Sequence, residues 1–257
     1  TGNTLINSDT LLGLRASNPL WSRDDFMVYK KPQENHQYIC TVDVSKGRGF
    51  DYSTFTIFDV STEPFEQVAV YRNNMVSPLL YPDIIAKYCA FYNTALVIIE
   101  NNAEGAVVAQ QMHYDLEYDN VFTQGGTRLE DIGVTMTRKI KRIGTSTLKE
   151  ILEENKLKIC DKELIKELLT FVNKGMSFEA DKGYHDDLVM NSVVFAWFLT
   201  TEYFEHLTNN RVKDLLYASQ QKDIYEDILP AGVFGTDNRS NSFVDAAGDR
   251  WFGEETD

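Results

Sequence analysis

Between Tyr38 and Asn73 the chain passes through three short stretches of β-favouring residues, 38–45, 53–60 and 66–73. Their connections carry Gly47, Gly49 and Asp51, then Thr62, Glu63 and Pro64, so the pattern predicts successive antiparallel hairpins. Pro78 and Pro82 flank the start of a helix reaching about Tyr92, with Ile84, Ile85, Tyr88 and Phe91 on one face. Residues 95–100 are rich in Val, Ile and Leu, as expected of a strand covered on both faces. A helix from Glu104 to about Tyr118 follows, then a short strand at 120–123. Gly125 and Gly126 open an irregular insertion that ends near Gly133.

Further on, 147–155 reads as a helix capped by Thr145 or Ser146, and 157–159 as a brief strand. Asp161 caps a helix over 162–173 whose buried stripe is Leu164, Leu168 and Phe171. A last short strand is expected at 177–180. The stretch from Asp186 to about Phe204 is apolar nearly all round (LVMNSVVFAWFL), which predicts a buried helix. Residues 1–35 are mixed and polar and read as an arm or linker remnant packing on the core. From His206 to the end the pattern weakens into an acidic extension, with a helix expected at 213–220 and a loosely structured, glycine-containing end.

Hairpins followed by β-α-β crossovers make an α/β domain over 36–205, a mixed sheet with helices on both faces. This is the element order of the ribonuclease H-like fold. There the centre of the first strand and the end of the fourth lie side by side, near the start of a late helix.

Composition narrows the chemistry. With 43% hydrophobic residues the chain can fill a sizeable core, and it has no apolar run long enough for a membrane span. Cys40, Cys89 and Cys160 are odd in number and set in apolar contexts, which suits buried thiols in a reducing compartment. No CxxC occurs and the four histidines are scattered, so no zinc site is expected. The net charge of −14 argues against a generally basic nucleic-acid surface. Part of that excess lies after His206, where ten acidic residues face five basic ones, whereas Arg138-Lys139-Ile140-Lys141-Arg142 is a dense basic cluster.

Three acidic positions stand out. Asp43 lies within the first strand, Glu100 ends the fourth, and Asp186-Asp187 opens the apolar helix. Each alone has an ordinary explanation: a satisfied buried acid, a solvated strand end, plain helix N-terminal residues. Brought together, their like charges cannot all ionise cheaply without a cation. Magnesium, with its hard oxygen preference, resolves this, and a pair of such ions suits phosphodiester hydrolysis. The helix N-terminus is expected to favour the charged forms of Asp186 and Asp187. His185, Lys46, Arg48 and the cluster Arg138, Lys139, Lys141 and Arg142 are candidate contacts to DNA phosphates. No G-x-S-x-G elbow, P-loop or complete dinucleotide fingerprint is present.

The runs DVSKGRGFDYSTFTIFDV, VIIENNAEG and GYHDDLVMNSVVFAW, with GVTMTRKIKRIGTSTLKEILEENKL between them, closely resemble the nuclease domain of large terminase subunits of T4-like tailed bacteriophages. The resemblance covers about 36–205. It implies a Mg2+-dependent endonuclease, with Mn2+ as substitute, cutting concatemeric double-stranded viral DNA at the start and end of packaging. Asp43 and Glu100 fill its first two acid positions and the third falls on the pair, Asp187 as metal ligand with Asp186 second choice. It also implies an N-terminal packaging ATPase domain in the same full-length subunit, a small terminase subunit and a portal as partners, no membrane, and action in the host cytoplasm. A junction-resolvase-like nuclease of the same fold and a non-catalytic DNA- or portal-docking module are the alternative readings.

Overall fold

The structure, a computed structural model, describes residues 4–125, 131–175, 177–209, 242–244 and 250–252. The three predicted strands are β3 (Tyr38–Asp43), β4 (Ser53–Asp59) and β5 (Phe65–Asn73). They pair antiparallel in sequence order, with Tyr38 opposite Asp59 and Asp43 opposite Thr54. β6 (Leu96–Ile99) joins the free edge of β3 in parallel, Val42 lying opposite Ile99. The crossover between β5 and β6 is helix α2 (Tyr81–Phe91), begun by Pro82 in its first turn.

Residues assigned by sequence to an arm instead widen this sheet. β1 (Trp21–Arg23) and β2 (Phe26–Val28) form a hairpin whose second strand pairs with the later part of β5. Its two-residue turn places Asp24 and Asp25 at φ 52° and 63°, the conformation that matches the strand twist. β7 (Leu157–Lys158) adds in parallel at the start of β5, so seven described strands make one sheet.

Period-two alternation sends the side chains of each strand to two separate cores. Cys40, Val42, Phe55, Ile57, Val97 and Ile99 pack with α2 and with α3 (Glu104–Gln110). Ile39, Phe58, Val70, Leu96 and Ile98 face the opposite layer, built from α4 (Arg138–Glu153), α5 (Lys162–Thr170) and α6 (Asp187–Phe198). α6 lies against β3 and β4, and Phe195 stacks on Phe58 with centroids 4.0 Å apart. Its interior residues are buried all round, as the unbroken apolar sequence predicts. Cys40 and Cys89 are buried free thiols and Cys160 is half-buried.

Several boundaries differ from expectation. α4 begins at Arg138 rather than 147, because Thr137 Oγ1 accepts the Ile140 amide at 3.2 Å and caps an earlier turn. It continues through Gly144, where a Cβ would stand 2.3 Å from the Val193 carbonyl oxygen of α6. α3 is shorter than predicted and passes into a π-helical turn, Gln111–Asp115. The strand expected at 120–123 reduces to isolated bridges, Val97 with Val121 and Thr123 with Ile132. α5 stops at Thr170, and Phe171 turns into β8 (Phe171–Asn173), which pairs with β9 (Phe178–Ala180). α6 ends at Phe198, where the Thr200 and Thr201 hydroxyls donate to the Trp197 and Phe198 carbonyls, each at 2.7 Å.

Near the N-terminus, α1 (Ser8–Gly13) is capped by Asn7. A second unit, His206–Asp257, holds an antiparallel pair, β10 (Ser242–Val244) and β11 (Arg250–Phe252). The helix expected at 213–220 lies outside the described residues. Among the described residues no helix is long and apolar enough to cross a membrane.

The close approach at Gly144 generates a test. Gly144→Ala would normally favour a helix interior, but here the added methyl meets backbone and must force α4 from α6. Thermal denaturation should show a loss on the order of 1–3 kcal/mol; an unchanged or raised melting temperature would refute the close approach.

Candidate metal centre

Strand pleating selects which polar groups meet beneath the start of α6. Asp43 follows Ile39 and Thr41 on the face of β3 turned to α6, and Glu100 follows Leu96 and Ile98 on the same face of β6. The Glu100 amide donates to the Val42 carbonyl at 3.0 Å, which carries the parallel pairing one residue beyond β6. On β4, Thr54 sits opposite Asp43, and its hydroxyl donates to the Asp187 carbonyl at 3.4 Å. Asn191, one turn further along α6, donates to that hydroxyl at 2.9 Å. The strand carrying Asp43 and the helix carrying Asp187 are thus held through one threonine.

The connection after Glu100 is tightly built. A Cβ on Gly105 would lie 1.8 Å from the Glu100 carbonyl oxygen, so only glycine admits the start of α3 there. Ala103 takes φ 48°, a conformation uncommon for a residue with a side chain, in the same turn. Asn102 donates to Glu100 Oε1 at 2.8 Å.

Asp43, Asp186 and Asp187 share a cleft of about 600 Å³ with Lys46, Arg48, Asp51 and Tyr52. Glu100 is on the same face of the sheet but does not line that cleft. Among the described residues, no three acidic, histidine or cysteine side chains close into a metal-binding cluster.

Electrostatics nevertheless ties the acids together. Burial, then the nearby charges of Glu100 and Asp187, hold the Asp43 carboxyl well above the usual carboxylate range. Glu100 is also raised, chiefly by burial, with Asp186 adding to the effect while Asn102 and Lys141 oppose it. Asp187 is pushed up to about 6, again first by burial, against the opposing pull of His185 and the Tyr52 amide. The expected helix-end stabilisation of a charged Asp187 is therefore outweighed by desolvation.

The two aspartates at the start of α6 differ in employment. Asp186 Oδ2 accepts the Ala180 amide at 3.1 Å. Asp187 Oδ2 is buried with no hydrogen-bond partner, and His185 Nδ1 stands 3.5 Å away. A buried carboxylate oxygen left unpaired is costly. An all-oxygen set of repelling carboxylates with such an orphan atom fits a hard divalent cation, and Asp187 fits it better than Asp186.

The basic candidates divide. Lys46 and Arg48 are exposed in the turn after β3, and Lys46 Nζ lies 3.8 Å from Glu104 Oε1. Arg138, Lys139 and Arg142 are exposed at the beginning of α4, while half-buried Lys141 is near enough to Glu100 to favour its charged form. His185 packs edge-on against Tyr52, centroids 5.2 Å apart.

Sequence reading missed two charged residues beside the cleft. Glu167 of α5 and Arg72 of β5 are nearly buried, with Arg72 Nε 3.9 Å from Glu167 Oε1. Glu167 is pushed up to about 8 mainly by burial. A signal was present: Glu167 stands three residues after Leu164 on the stripe that also holds Leu168, so this acid falls on a buried helix face.

A family model described as the terminase RNaseH-like domain matches residues 40–226. Among solved structures, the large terminase nuclease from thermophilic phage G20c with bound cobalt superposes with a TM-score of 0.62 at 20% identity, covering 77% of this chain and 97% of that one. The same nuclease with bound magnesium gives equal values. The large terminase nuclease domain of Thermus phage P74-26 gives 0.56 at 20% identity, covering 75% and 93%.

Asp187 provides a test in metal-free solution. Its folded value of about 6 lies above that of an unfolded aspartate, so it favours the fold below pH ~4 and this contribution is lost as the pH rises through 6. In EDTA at pH 7.5, Asp187→Asn should therefore be more stable than the natural protein by ~1–3 kcal/mol. The advantage should vanish near pH 4 in denaturant titrations, and a destabilised variant at pH 7.5 would contradict the assignment.

Proposed function

The chain belongs to the terminase RNaseH-like domain family, and from that premise we propose that it is a divalent-metal-dependent endodeoxyribonuclease that cuts concatemeric double-stranded viral DNA during genome packaging. The observation that supports the reading is that Asp43 and Glu100 stand at neighbouring positions on one face of the sheet, with Asp187 raising the Asp43 carboxyl and its own Oδ2 buried without a hydrogen bond. Asp43, Asp187 and Glu100 would hold the cation, Mg2+ with Mn2+ as substitute, as one ion or a pair. When bound, it would supply Lewis-acid stabilisation of charge developing on the phosphate as water displaces the leaving oxygen.

The chain's own residues supply the rest. Thr54 and Asn191 hold the backbone of Asp187 against β4, fixing the approach of this carboxylate to Asp43. Arg138, Lys139, Lys141 and Arg142 would take duplex phosphates, and His185, Lys46 and Arg48 would touch the strand at the cleft. The placement of the first group supports this role. α4 has no acidic residue in its first turn and presents cations at the positive end of its dipole, an arrangement that costs about 0.3–1 kcal/mol per charge and that an anion relieves. The partners proposed from the family are duplex DNA, the packaging ATPase domain of the full-length subunit, the small terminase subunit and the portal, with action in the host cytoplasm.

Asp43→Asn should abolish Mg2+-dependent nicking and cutting of plasmid DNA while leaving the circular dichroism spectrum intact. Undiminished cleavage by this variant, or by the natural protein in excess EDTA, would overturn the nuclease reading. A second expectation concerns grip. Neutralising Arg138, Lys139, Lys141 and Arg142 together should weaken duplex binding and flatten the log–log salt slope by about 0.9 for each phosphate no longer neutralised. The same substitution should not lower the melting temperature, because it removes charges that the helix end disfavours. An unchanged salt slope would remove the cluster from the DNA path.

A further inference from the structure

Glu167 is a buried carboxylate that the metal-ligand reading leaves unused. Its Oε2 accepts the Leu188 amide at 2.8 Å and the Val189 amide at 3.1 Å, the two amides that follow Asp187 in α6. These are donors that the first turn of a helix cannot satisfy within itself. The local capping residue does not serve them: Asp186 makes no side-chain cap bond to α6 and binds Ala180 instead. The helix that presents Asp187 is therefore capped from another helix.

The opposite side of Glu167 leads back to Asp187 by a different route. Arg72 Nε faces Glu167 Oε1 at 3.9 Å, and the Arg72 guanidinium lies 3.3 Å from the centre of the Tyr52 ring. The Tyr52 amide, in turn, supports the charged form of Asp187. Glu167, the first turn of α6, Asp187, Tyr52 and Arg72 thus form a closed ring of interactions.

A plain structural ion pair explains part of this arrangement. It would bring Glu167 and Arg72 together, yet Arg72 Nε and Glu167 Oε1 both lack a hydrogen bond. The short bonds of Glu167 go to the helix end. A Ser or Asn at the cap position would satisfy such amides without a second carboxyl beside Asp187. What the present arrangement adds is a rigid reference for the residue just before those amides.

We propose that Glu167 is a positioning residue that sets the direction in which Asp187 presents its carboxylate to the cleft, acting through the Leu188 and Val189 amides. This rests on the reading of Asp187 as a metal ligand. Residues that orient metal ligands typically change metal affinity 10–100-fold when substituted.

Glu167→Ala removes the acceptor that the Leu188 and Val189 amides share. Mn2+ binding would be followed by isothermal titration and by the Mn2+-induced rise in melting temperature, beside plasmid cleavage. The expected result is a folded variant whose Mn2+ affinity is weaker by ~10-fold or more, with cleavage reduced in parallel. Unchanged Mn2+ affinity, including the case of a lowered melting temperature alone, would overturn the positioning role. Should Glu167→Ala fail to fold, Glu167→Asp, one methylene too short to keep both amide bonds, replaces it; weakened Mn2+ binding is expected, and unchanged binding would overturn the proposal. Failure of the underlying nuclease reading looks different: the natural protein would then bind no Mn2+ and cut no DNA, whatever residue stands at position 167.

Discussion

Desolvation of half-buried acids, sharpened by the like charges around them, is the constraint around which this domain is arranged. Asp43, Glu100 and Asp187 each sit where desolvation and a like charge disfavour ionisation. Such crowding survives only where the surrounding framework is stiff enough to absorb it. Here β3 and β4 are buried almost throughout, β3 is paired on both edges, and α6 is buried along its interior. The strain is local and the restraint is spread over the whole sheet.

That division between stiff frame and costly centre explains what could be read from sequence. The strands 38–43, 53–59, 65–73 and 96–99 fall where β-favouring runs predict them, and the mixed sheet follows from their order. Their regular pleat also makes the side of Asp43 and Glu100 readable, since both acids continue an apolar face. Apolar residues all round α6 likewise announce burial. These features are set by short-range pattern and by simple partition from water.

What stayed hidden depends on packing between distant segments. The start of α4 is fixed by Thr137 and by a glycine that tolerates a helix because α6 passes close by, and neither is visible from propensity alone. The β1–β2 hairpin is too short to announce itself, and its stability comes from pairing with β5. Glu167 falls on a buried helix stripe, but nothing local tells that it caps α6, and nothing in the β5 run tells that Arg72 lies beneath Tyr52. Asn102, which occupies an oxygen of Glu100, is hidden for the same reason: a side-chain hydrogen bond of two residues' span leaves no periodic trace.

The backbone-to-backbone approach at Gly144 has a mechanical meaning. The basic start of α4 and the acidic start of α6 each lie ~9 Å along their axes from that crossing point. With no methyl to cushion it, the crossing behaves as a rivet rather than a sliding joint, so the cationic end and the carboxylate end keep a fixed span. Were the cationic end to grip a duplex as proposed, the carboxylates would meet it at a set distance, because the two ends cannot drift apart on their own.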